Sequence, residues 1–402
     1  MFSLDEVRDE ILGALPAPVA ALVPRAEAVG LALAEAIAAD EPVPPFANTA
    51  MDGYALRAAD TEGASDDTPV RLRMVGELAA GHAPTLPVGP GEAIRIMTGA
   101  PIPEGADAIV MVERTARDGD DAVLVRASAG VGDHVRGAGG DVAAGQEVFA
   151  AGTVLAPAHL GVLASLGVEQ VRVFRRLRVG VMSTGDELRE GPVALAPGQI
   201  RDSNRPMLLA LVAEAGCLAV DLGIGHDDEA FVQRAIENAV ATCDAVITSG
   251  GVSVGDYDVV KAVLDRMGAL RWWQVAIKPA KPLAFARLRE TPVFGLPGNP
   301  VSSHVSFELF ARPALRKMMG HAACSRPTVD AVADAPLPRR PDGKTHFDRV
   351  RVRYEDGRYF VVRSGAQASN ALAAMADADG LAILPDGDGC DTGDSLRVML
   401  LR

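Results

Sequence analysis

Four loops of this chain combine glycine, hydroxyl, carboxylate and lysine groups, and they lie at residues 183–187, 249–258, 277–282 and 295–300. Glycine lets backbone N–H groups face an anion at the start of a helix. Carboxylate oxygens are the ligands that Mg²⁺ prefers, often together with phosphate, and lysines attract anions. These residue types therefore predict a phosphate-bearing or oxyanionic ligand that binds together with Mg²⁺.

The loop SGGVSVGDYD at residues 249–258 is the strongest of the four candidates. It follows the apolar run DAVIT and precedes a helical pattern. Asp256 and Asp258 suit Mg²⁺, and the glycines suit a phosphate. The alternative is a flexible loop with one helix-capping aspartate, but the combination of glycine, hydroxyl and carboxylate favours a functional site. The loop is not a Walker A motif, because the chain has no G-x-x-x-x-G-K-[ST] pattern.

Two other loops have simple structural explanations when each is considered alone. Asp186 and Glu187 in STGDE also fit a solvated turn before a helix, where acidic residues are favoured. In GLPGNP, Asn299 is a good N-cap and Pro300 suits the first helical position. Capping leaves Pro297 unexplained, and the helix start again offers an anion site.

The lysines of IKPAKP, Lys278 and Lys281, are each followed by proline, which favours an extended backbone. Solvent-facing lysines are the usual interpretation of such a pattern. However, residues 271–320 contain eight Lys and Arg against two Asp and Glu, in a chain whose net charge is -14. This local excess of cations beside Gly-rich loops indicates a small polyanionic ligand.

The N-terminal half has two further polar turns. Asp52 precedes a glycine in TAMDGYA, and Thr98 follows the strand-like run EAIRI in MTGAP. Each is more often a plain turn than a site when considered alone.

Length and composition limit the class of protein. A chain of 402 residues is too long for one ordinary core and predicts two to four domains. Its acidic charge disfavours nucleic acid and anionic membranes as partners. The four cysteines have no metal-ligand spacing and the N-terminus has no signal-peptide pattern, so we expect a reducing, cytoplasmic location.

The elements that position these loops follow from hydrophobic periodicity. From residue 176 to 326, strand-like runs alternate with helical patterns, which predicts parallel βαβ units with ligands at the carboxyl ends of the strands. Residues 45–140 and 327–402 contain short strand patterns separated by turns, so we expect a mainly β domain and a small C-terminal barrel or sandwich. Helices are predicted at residues 3–15 and at 31–39.

Seven ordered segments resemble one family, the MoeA proteins, which are similar to the E domain of gephyrin. The segments are PPFANTAMDGYALR, RIMTGAPIPEGADAIVMVE, STGDEL, GQIRDSNRPML, SGGVSVGDYD, IKPAKPLAFA and GLPGNPVSS. The resemblance covers nearly the whole chain and is weaker in the tail, where Arg349 and the stretch 367–369 match.

The resemblance implies a multidomain fold of α/β plus β type. It consists of a small helical and extended N-terminal domain for dimerisation (residues 1–44 with 141–175), a mainly β domain II (45–140), a doubly wound MogA-like α/β domain III (176–326) and a C-terminal β-barrel domain IV (327–402). In such proteins the active site lies between domain III of one subunit and domain II of the other in a homodimer.

The resemblance also implies a molybdenum insertase. Its substrates are molybdopterin-AMP and molybdate, its cofactor is Mg²⁺ or another divalent ion, and its reaction releases AMP. A MogA-like adenylyltransferase is a possible transient partner. The rival hypotheses are that the chain is itself such an adenylyltransferase, or that it is a scaffold, since gephyrin also clusters receptors.

Residue roles carried over by motif stay implications of the resemblance. Catalytic roles fall on Asp52, Thr98, Glu187, Asp227, Asp258, Lys278 and Lys281, with Glu187 and Asp258 also as metal ligands. Substrate-binding roles fall on Ser249, Gly250, Gly251, Ser253, Pro297, Pro300, Arg349 and Ser369.

Overall fold

The computed structural model describes residues 1–251, 259–268 and 270–402, and these form two compact units. One unit comprises Met1–Ala34, Gly152–Leu155 and Val171–Arg402. The other comprises Glu35–Ala151 and Ala156–Gln170. Within the described ranges, no helix has the length and apolar composition needed to span a bilayer.

The first unit contains a six-stranded sheet built from the predicted α/β region. Its strand order is Leu218–Gly225, Arg178–Thr184, Ala245–Ser249, Thr291–Leu296, Pro282–Leu288 and Leu270–Gln274. The first four strands are parallel, and Pro282–Leu288 runs antiparallel to both of its neighbours, Thr291–Leu296 and Leu270–Gln274. Every residue of the two central strands, Ala245–Ser249 and Thr291–Leu296, is buried, as expected where helices cover both faces. The doubly wound α/β domain is confirmed, with two further strands, the antiparallel Pro282–Leu288 and the edge strand Leu270–Gln274, that the sequence pattern did not predict.

Within the described residues, five helices and one π-helical turn belong to this domain, and one of the helices has a side-chain N-cap. They are Asn204–Glu214, Glu229–Thr242, Val259–Arg266, Pro300–Ser306 and Arg312–Met318, the last two joined through the π-helical turn Phe307–Ala311. The Asp228 carboxylate accepts a hydrogen bond from the Phe231 N–H at 2.6 Å, which satisfies one of the unpaired donors of a helix start. Pro300 occupies the first helical turn, where its missing N–H has no intrahelical partner.

The N-terminal helix is confirmed at Leu4–Gly13, where Ser3 and Glu6 form a capping box. The helix predicted at residues 31–39 is wrong. Leu33 N–H donates to Thr153 O, and Ala34 N–H donates to Arg172 O, so this backbone is extended and bonded to distant segments. The run is rich in small apolar residues without a polar face, so long-range pairing decides its structure instead of helix propensity.

The C-terminal region is a closed five-stranded barrel. Of the two predicted alternatives, barrel and sandwich, the barrel is confirmed. The strand order is Thr345–Glu355, Arg358–Arg363, Thr328–Ala333, Ser395–Leu400 and Gly380–Leu384, which pairs back with the first. Ile277–Lys278 adds to the barrel strand Thr345–Glu355 with Lys278 opposite His346. This pairing attaches the lysine segment of the α/β domain to the barrel.

The second unit is mainly β, as predicted. Its six-stranded sheet has the order Ala108–Met111, Gly53–Leu56, Glu92–Ile96, Val70–Leu78, Ala122–Val125 and Thr115–Arg117. The strand Gly53–Leu56 is buried along its whole length. It carries Asp52 at its start, and Thr98 follows the neighbouring strand Glu92–Ile96.

The remaining elements are short. The paired strands are Ala20–Pro24 with Gln170–Phe174, Ile37–Ala38 with Glu147–Phe149, Asn48–Thr49 with Val135–Arg136, Leu188–Arg189 with Ile200–Arg201, and Leu337–Pro338 with Gly389–Cys390. The helical elements are Pro157–Ser165, Leu372–Ala376 and the 3₁₀ turns Arg25–Glu27, Ala58–Thr61 and Val112–Arg114.

Candidate active site

A cavity of about 860 Å³ opens at the carboxyl ends of the parallel strands. This is the edge of the sheet where open α/β folds bind ligands. The predicted site residues that line the cavity are Glu187, Asp227, Ser249, Gly250, Gly251, Lys278, Lys281, Pro297, Pro300 and Ser369. The structure therefore brings together residues that are far apart in the sequence. Ser253, Asp256 and Asp258 lie outside the described residues.

The floor of the cavity depends on close backbone contacts at glycine. Gly250 has a φ of +101°, and a Cβ atom placed on it would lie 2.6 Å from the carbonyl oxygen of Thr184. The Gly250 N–H donates to Leu296 O at 3.1 Å. The strand ends at Thr184 and Leu296 therefore pack closely against the turn at Gly250. Only glycine fits at position 250.

Ser249 is buried beneath this floor, with 2% of its surface exposed. Its hydroxyl donates to Pro297 O at 3.2 Å and accepts from the Asn204 amide at 2.9 Å. The same Asn204 nitrogen donates to Gly298 O at 2.7 Å. The Ser249 hydroxyl and the Gly250 N–H, both predicted to contact phosphate, are therefore already bonded inside the protein.

Asn204 and Asp202 were not among the site residues predicted from the sequence. The Asp202 carboxylate accepts from the Ser183 hydroxyl at 3.0 Å and from the Asn204 and Arg205 N–H groups, each at 3.1 Å. It thus fixes the start of the helix Asn204–Glu214. The sequence pattern that could have identified them is RDSNRPML, in which polar residues directly precede an apolar helical run, as is typical of a helix start.

The carboxylates of the cavity wall come from two adjacent loops. Asp186 N–H donates to the Asp227 carboxylate at 3.2 Å, and Asp227 N–H donates to the Asp186 carboxylate at 3.4 Å. Gly185, with φ of +149°, leaves room for the Glu187 carboxylate, which would lie 2.4 Å from a Cβ at that position. Glu187 and Asp227 are exposed oxygen donors of the type that suits Mg²⁺. Among the described residues, no group of three or more His, Cys, Asp or Glu forms a complete metal site.

Cations line the cavity from three segments. Lys278 and Lys281 are exposed on either side of Ala280, which is buried and has a φ of +78°. Arg201 and Lys344 also line the cavity and were not predicted. Arg201 donates to Gly191 O and Val193 O, at 3.1 and 2.9 Å. Neither Arg201 nor Lys344 belongs to a repeated Lys-Pro pattern like that of residues 277–282, so only the fold identifies them.

Arg349 lies outside the lining of the main cavity. It is fully buried and lines a smaller cavity of about 360 Å³ together with Lys278 and Gln367. Its guanidinium donates to Ala366 O at 2.9 Å and Ala368 O at 3.1 Å, directly before Ser369. Burial lowers the pKa of Arg349. Arg349 thus fixes the barrel loop that carries Ser369.

Asp52 and Thr98 belong to the second unit, where they contact each other. The Asp52 carboxylate accepts from the Thr98 N–H and the Thr98 hydroxyl, both at 2.7 Å. These two hydrogen bonds hold the pKa of Asp52 below its ordinary value, and the bond from the Thr98 N–H has the larger effect. Asp52 is therefore an exposed carboxylate that is stabilised in its charged form.

Fold and site together define a multidomain enzyme with a MogA-like α/β domain, mainly β domains and a C-terminal barrel. Family models match residues 2–167 (MoeA N-terminal region, domain I and II), 180–317 (probable molybdopterin binding domain) and 331–401 (MoeA C-terminal region, domain IV). The chain belongs to the MoeA family of molybdopterin molybdenumtransferases, transferases of molybdenum cofactor biosynthesis.

Relatives support this assignment over the whole length. The chain is 43% identical to molybdopterin molybdenumtransferase 2 of Mycobacterium tuberculosis, with 90% of each chain covered. It is 38% identical to the molybdopterin molybdenumtransferase of Haemophilus influenzae, with 97% of this chain and 96% of the relative covered. A solved MoeA protein from Pyrococcus horikoshii has a TM-score of 0.84 at 30% identity and covers 100% of both chains.

Proposed function

We propose that this chain inserts molybdate into molybdopterin-AMP and releases AMP in a Mg²⁺-dependent reaction. The observation that carries the proposal is the single cavity that joins Gly-lined strand ends, the carboxylates Glu187 and Asp227, and the lysines Lys278 and Lys281. Anionic substrates and a divalent cation need this combination of groups. Membership of the MoeA family supports the choice of substrates.

The roles within the proposal follow from exposure. Lys278 and Lys281 are exposed and neutralise molybdate or the pterin phosphate. Gly251, with φ of +65°, and Ser253 of the same loop contact phosphate groups. Ser249 and Gly250, whose donors are used internally, set the shape of the floor beneath them. Pro297 and Pro300 shape the nucleotide pocket, and Ser369 contacts an oxyanion from the barrel loop that Arg349 fixes.

Glu187 and Asp258 would hold Mg²⁺, with Asp227 as a further acid on the same wall. When bound, the ion offsets the negative charge of the phosphoanhydride. The chain itself orients the carboxylates through the Asp186–Asp227 backbone contacts and the glycine turn at Gly185. Cleavage of a phosphoanhydride gains mainly from positioning and charge neutralisation, so the proposal needs no covalent nucleophile.

A turnover comparison tests the proposed function. Purified protein receives either molybdopterin-AMP with molybdate and Mg²⁺, or molybdopterin with ATP and Mg²⁺, and AMP release and adenylylation are measured. We expect reaction only with the first pair. Reaction with the second pair alone would identify an adenylyltransferase, and reaction with neither would favour a scaffold.

Asp258→Ala and Lys278→Ala extend the test to single residues. Each variant should lose insertion while its melting temperature and oligomeric state stay those of the wild type. Wild-type turnover in the Asp258 variant would remove that residue from the proposed site.

We also propose a homodimer, as the MoeA resemblance implies, in which Asp52 and Thr98 act in the reaction from a subunit other than the one that supplies Lys278. Mixed dimers of Asp52→Ala and Lys278→Ala chains should then recover turnover that neither homodimer has. Failure to recover would contradict shared sites. A cytoplasmic location and a transient contact with a MogA-like adenylyltransferase stay predictions.

A further inference from the structure

The start of the helix Asn204–Glu214 carries a side chain that connects two other segments of the cavity wall, at Ser249 and Gly298. We infer that Asn204 is a positioning residue for nucleotide binding, an inference that rests on the proposed function for its ligand. Asn204 is buried, and its amide nitrogen contacts the Ser249 hydroxyl at 2.9 Å and Gly298 O at 2.7 Å. One side chain thus ties the floor strand to the turn that follows the next strand.

The orientation of this amide is fixed by its neighbours. Gly298 O can only accept a hydrogen bond, so the Asn204 nitrogen must face it. The Ser249 hydroxyl lies 3.2 Å from Pro297 O and 3.3 Å from the Ser303 hydroxyl, and it accepts from the second N–H of the Asn204 amide at 2.9 Å. Asn204 has two donors for two acceptors, and no other uncharged side chain of its length provides both.

The amide oxygen of Asn204 gives a second, independent observation. It is buried and has no hydrogen-bond partner among the residues that the structure describes. Buried polar atoms in native proteins are nearly always paired, so an unpaired one requires an explanation. We explain it by free energy. The two hydrogen bonds that the Asn204 amide donates stabilise the loops by more than the unpaired oxygen costs.

The consequence concerns the backbone that faces the ligand. Ser249 directly precedes Gly250 and Gly251, and the Gly298 Cα side faces Gly250, where an added Cβ would lie 3.7 Å from the Gly250 Cα. Without the Asn204 amide, the floor strand and the Gly298 turn lose their common anchor. Misplacement of binding groups by about 1 Å can reduce rates by about 10²-fold even when the altered residue is distant from the chemistry.

A double-mutant cycle tests whether Asn204 acts through Ser249. Asn204→Ala, Ser249→Ala and the double variant are compared for AMP affinity by titration calorimetry in the presence of Mg²⁺, and for kcat and KM with molybdopterin-AMP. We expect Asn204→Ala to weaken AMP binding about tenfold or more and to raise KM more than it lowers kcat. The double variant should lose less AMP affinity than the sum of the two single variants, because both of them break the contact between the Asn204 amide and the Ser249 hydroxyl.

Asn204→Asp and Asn238→Ala complete the design. Asn204→Asp keeps the size of the side chain but places an acceptor against Gly298 O, so it should bind AMP at least as weakly as Asn204→Ala. Asn238 is exposed on the helix Glu229–Thr242, and its alanine variant should match the wild type. If Asn204→Ala does not fold, Asn204→Ser, too short to reach Gly298 O, serves in its place and must also weaken binding.

The outcomes separate the inference from the proposed function. Unchanged AMP affinity and KM in folded Asn204 variants, or additive effects of Asn204→Ala and Ser249→Ala, would overturn the positioning role while leaving insertion intact. A wild-type protein that binds AMP but does not insert molybdate would overturn the proposed function, and the AMP affinities would still decide the role of Asn204. A wild type that does not bind AMP would overturn both.

Discussion

Single residues around the cavity divide into those whose polar atoms bond inside the protein and those that face solvent. Ser249 and Arg349 belong to the first kind, whereas Glu187, Lys278 and Lys281 belong to the second. Exposed charges remain available to a ligand, while buried polar groups hold the backbone in place. Residue type alone therefore does not assign a role, and exposure must be known.

Replacement of Lys281 tests the electrostatic part of the site. Lys281→Gln keeps most of the side-chain length and removes one positive charge, so kcat/KM should fall roughly 10- to 100-fold. The difference in kcat/KM between wild type and variant should shrink at high salt, because counterions then screen the Lys281 charge in the wild type. Arg358→Gln also removes one positive charge, from an exposed position at the start of the barrel strand Arg358–Arg363, and serves as the control. An equal loss in both variants would mean that net charge, and not position, is responsible.

Thr98 determines how acidic Asp52 is. Thr98→Val removes the hydroxyl donor but keeps the backbone N–H, so the pKa of Asp52 should rise towards its ordinary value without reaching it. Thr98→Ser keeps both donors and should leave the pKa unchanged. Carboxyl ¹³C shifts of labelled aspartate, followed against pH, measure the difference. Identical titration in the valine and serine variants would show that the hydroxyl has no influence.

The candidate site could be predicted in part from residue types. Glycine, lysine and carboxylate loops at strand ends identified much of the cavity lining, because parallel strands bring their carboxyl ends to one edge. Asn204 and Arg201 could not be found this way, since their importance depends on contacts with segments far along the chain. The burial of Arg349 also required the barrel to be known.

At the scale of elements, local periodicity predicted those whose environment is simple. Central strands such as Ala245–Ser249 are continuous apolar runs, and helices such as Glu229–Thr242 show one apolar face. The segment at residues 31–39 failed because its pairing partners lie more than a hundred residues away. The strands Pro282–Leu288 and Leu270–Gln274 were missed because the alternation of strands and helices left no place for an antiparallel pair.

The glycine floor gives a prediction for a whole loop. Gly250→Ala forces a Cβ to within 2.6 Å of Thr184 O at a φ of +101°, so it should destabilise the protein by about 1–3 kcal/mol and weaken AMP binding. Gly298→Ala is the matched control for stability, because its Cβ would make only an ordinary contact at 3.7 Å. Melting temperatures compare the two variants, and calorimetry measures the loss of AMP binding in Gly250→Ala. Equal melting of both variants would contradict the close-packed floor.

At the scale of the whole molecule, the first unit joins its α/β domain to the barrel through buried groups as well as through strand pairing. Arg326 donates to the Glu308 carboxylate at 3.0 Å and to Leu401 O at 2.7 Å, near the C-terminus of the chain. Glu308 is fully buried and also accepts from Arg312 at 2.7 Å. The π-helical turn Phe307–Ala311 carries this carboxylate inward, on the helix that begins beside the cavity.

Removing the charge of Glu308 should therefore destabilise the molecule as a whole. Glu308→Gln keeps the shape but leaves Arg312 and Arg326 with only the half-exposed Glu214 as a counter-ion. Breaking a buried pair costs about 3–5 kcal/mol, and because Glu214 remains we expect a loss at the lower end of that range. Glu290→Gln breaks an exposed pair with Arg287 and should cost at most about 1 kcal/mol. Urea unfolding followed by the fluorescence of Trp272 and Trp273 measures both. Similar midpoints for the two variants would mean that the buried network contributes no more than a surface ion pair, and the barrel would then be held by its strand pairing with Ile277–Lys278.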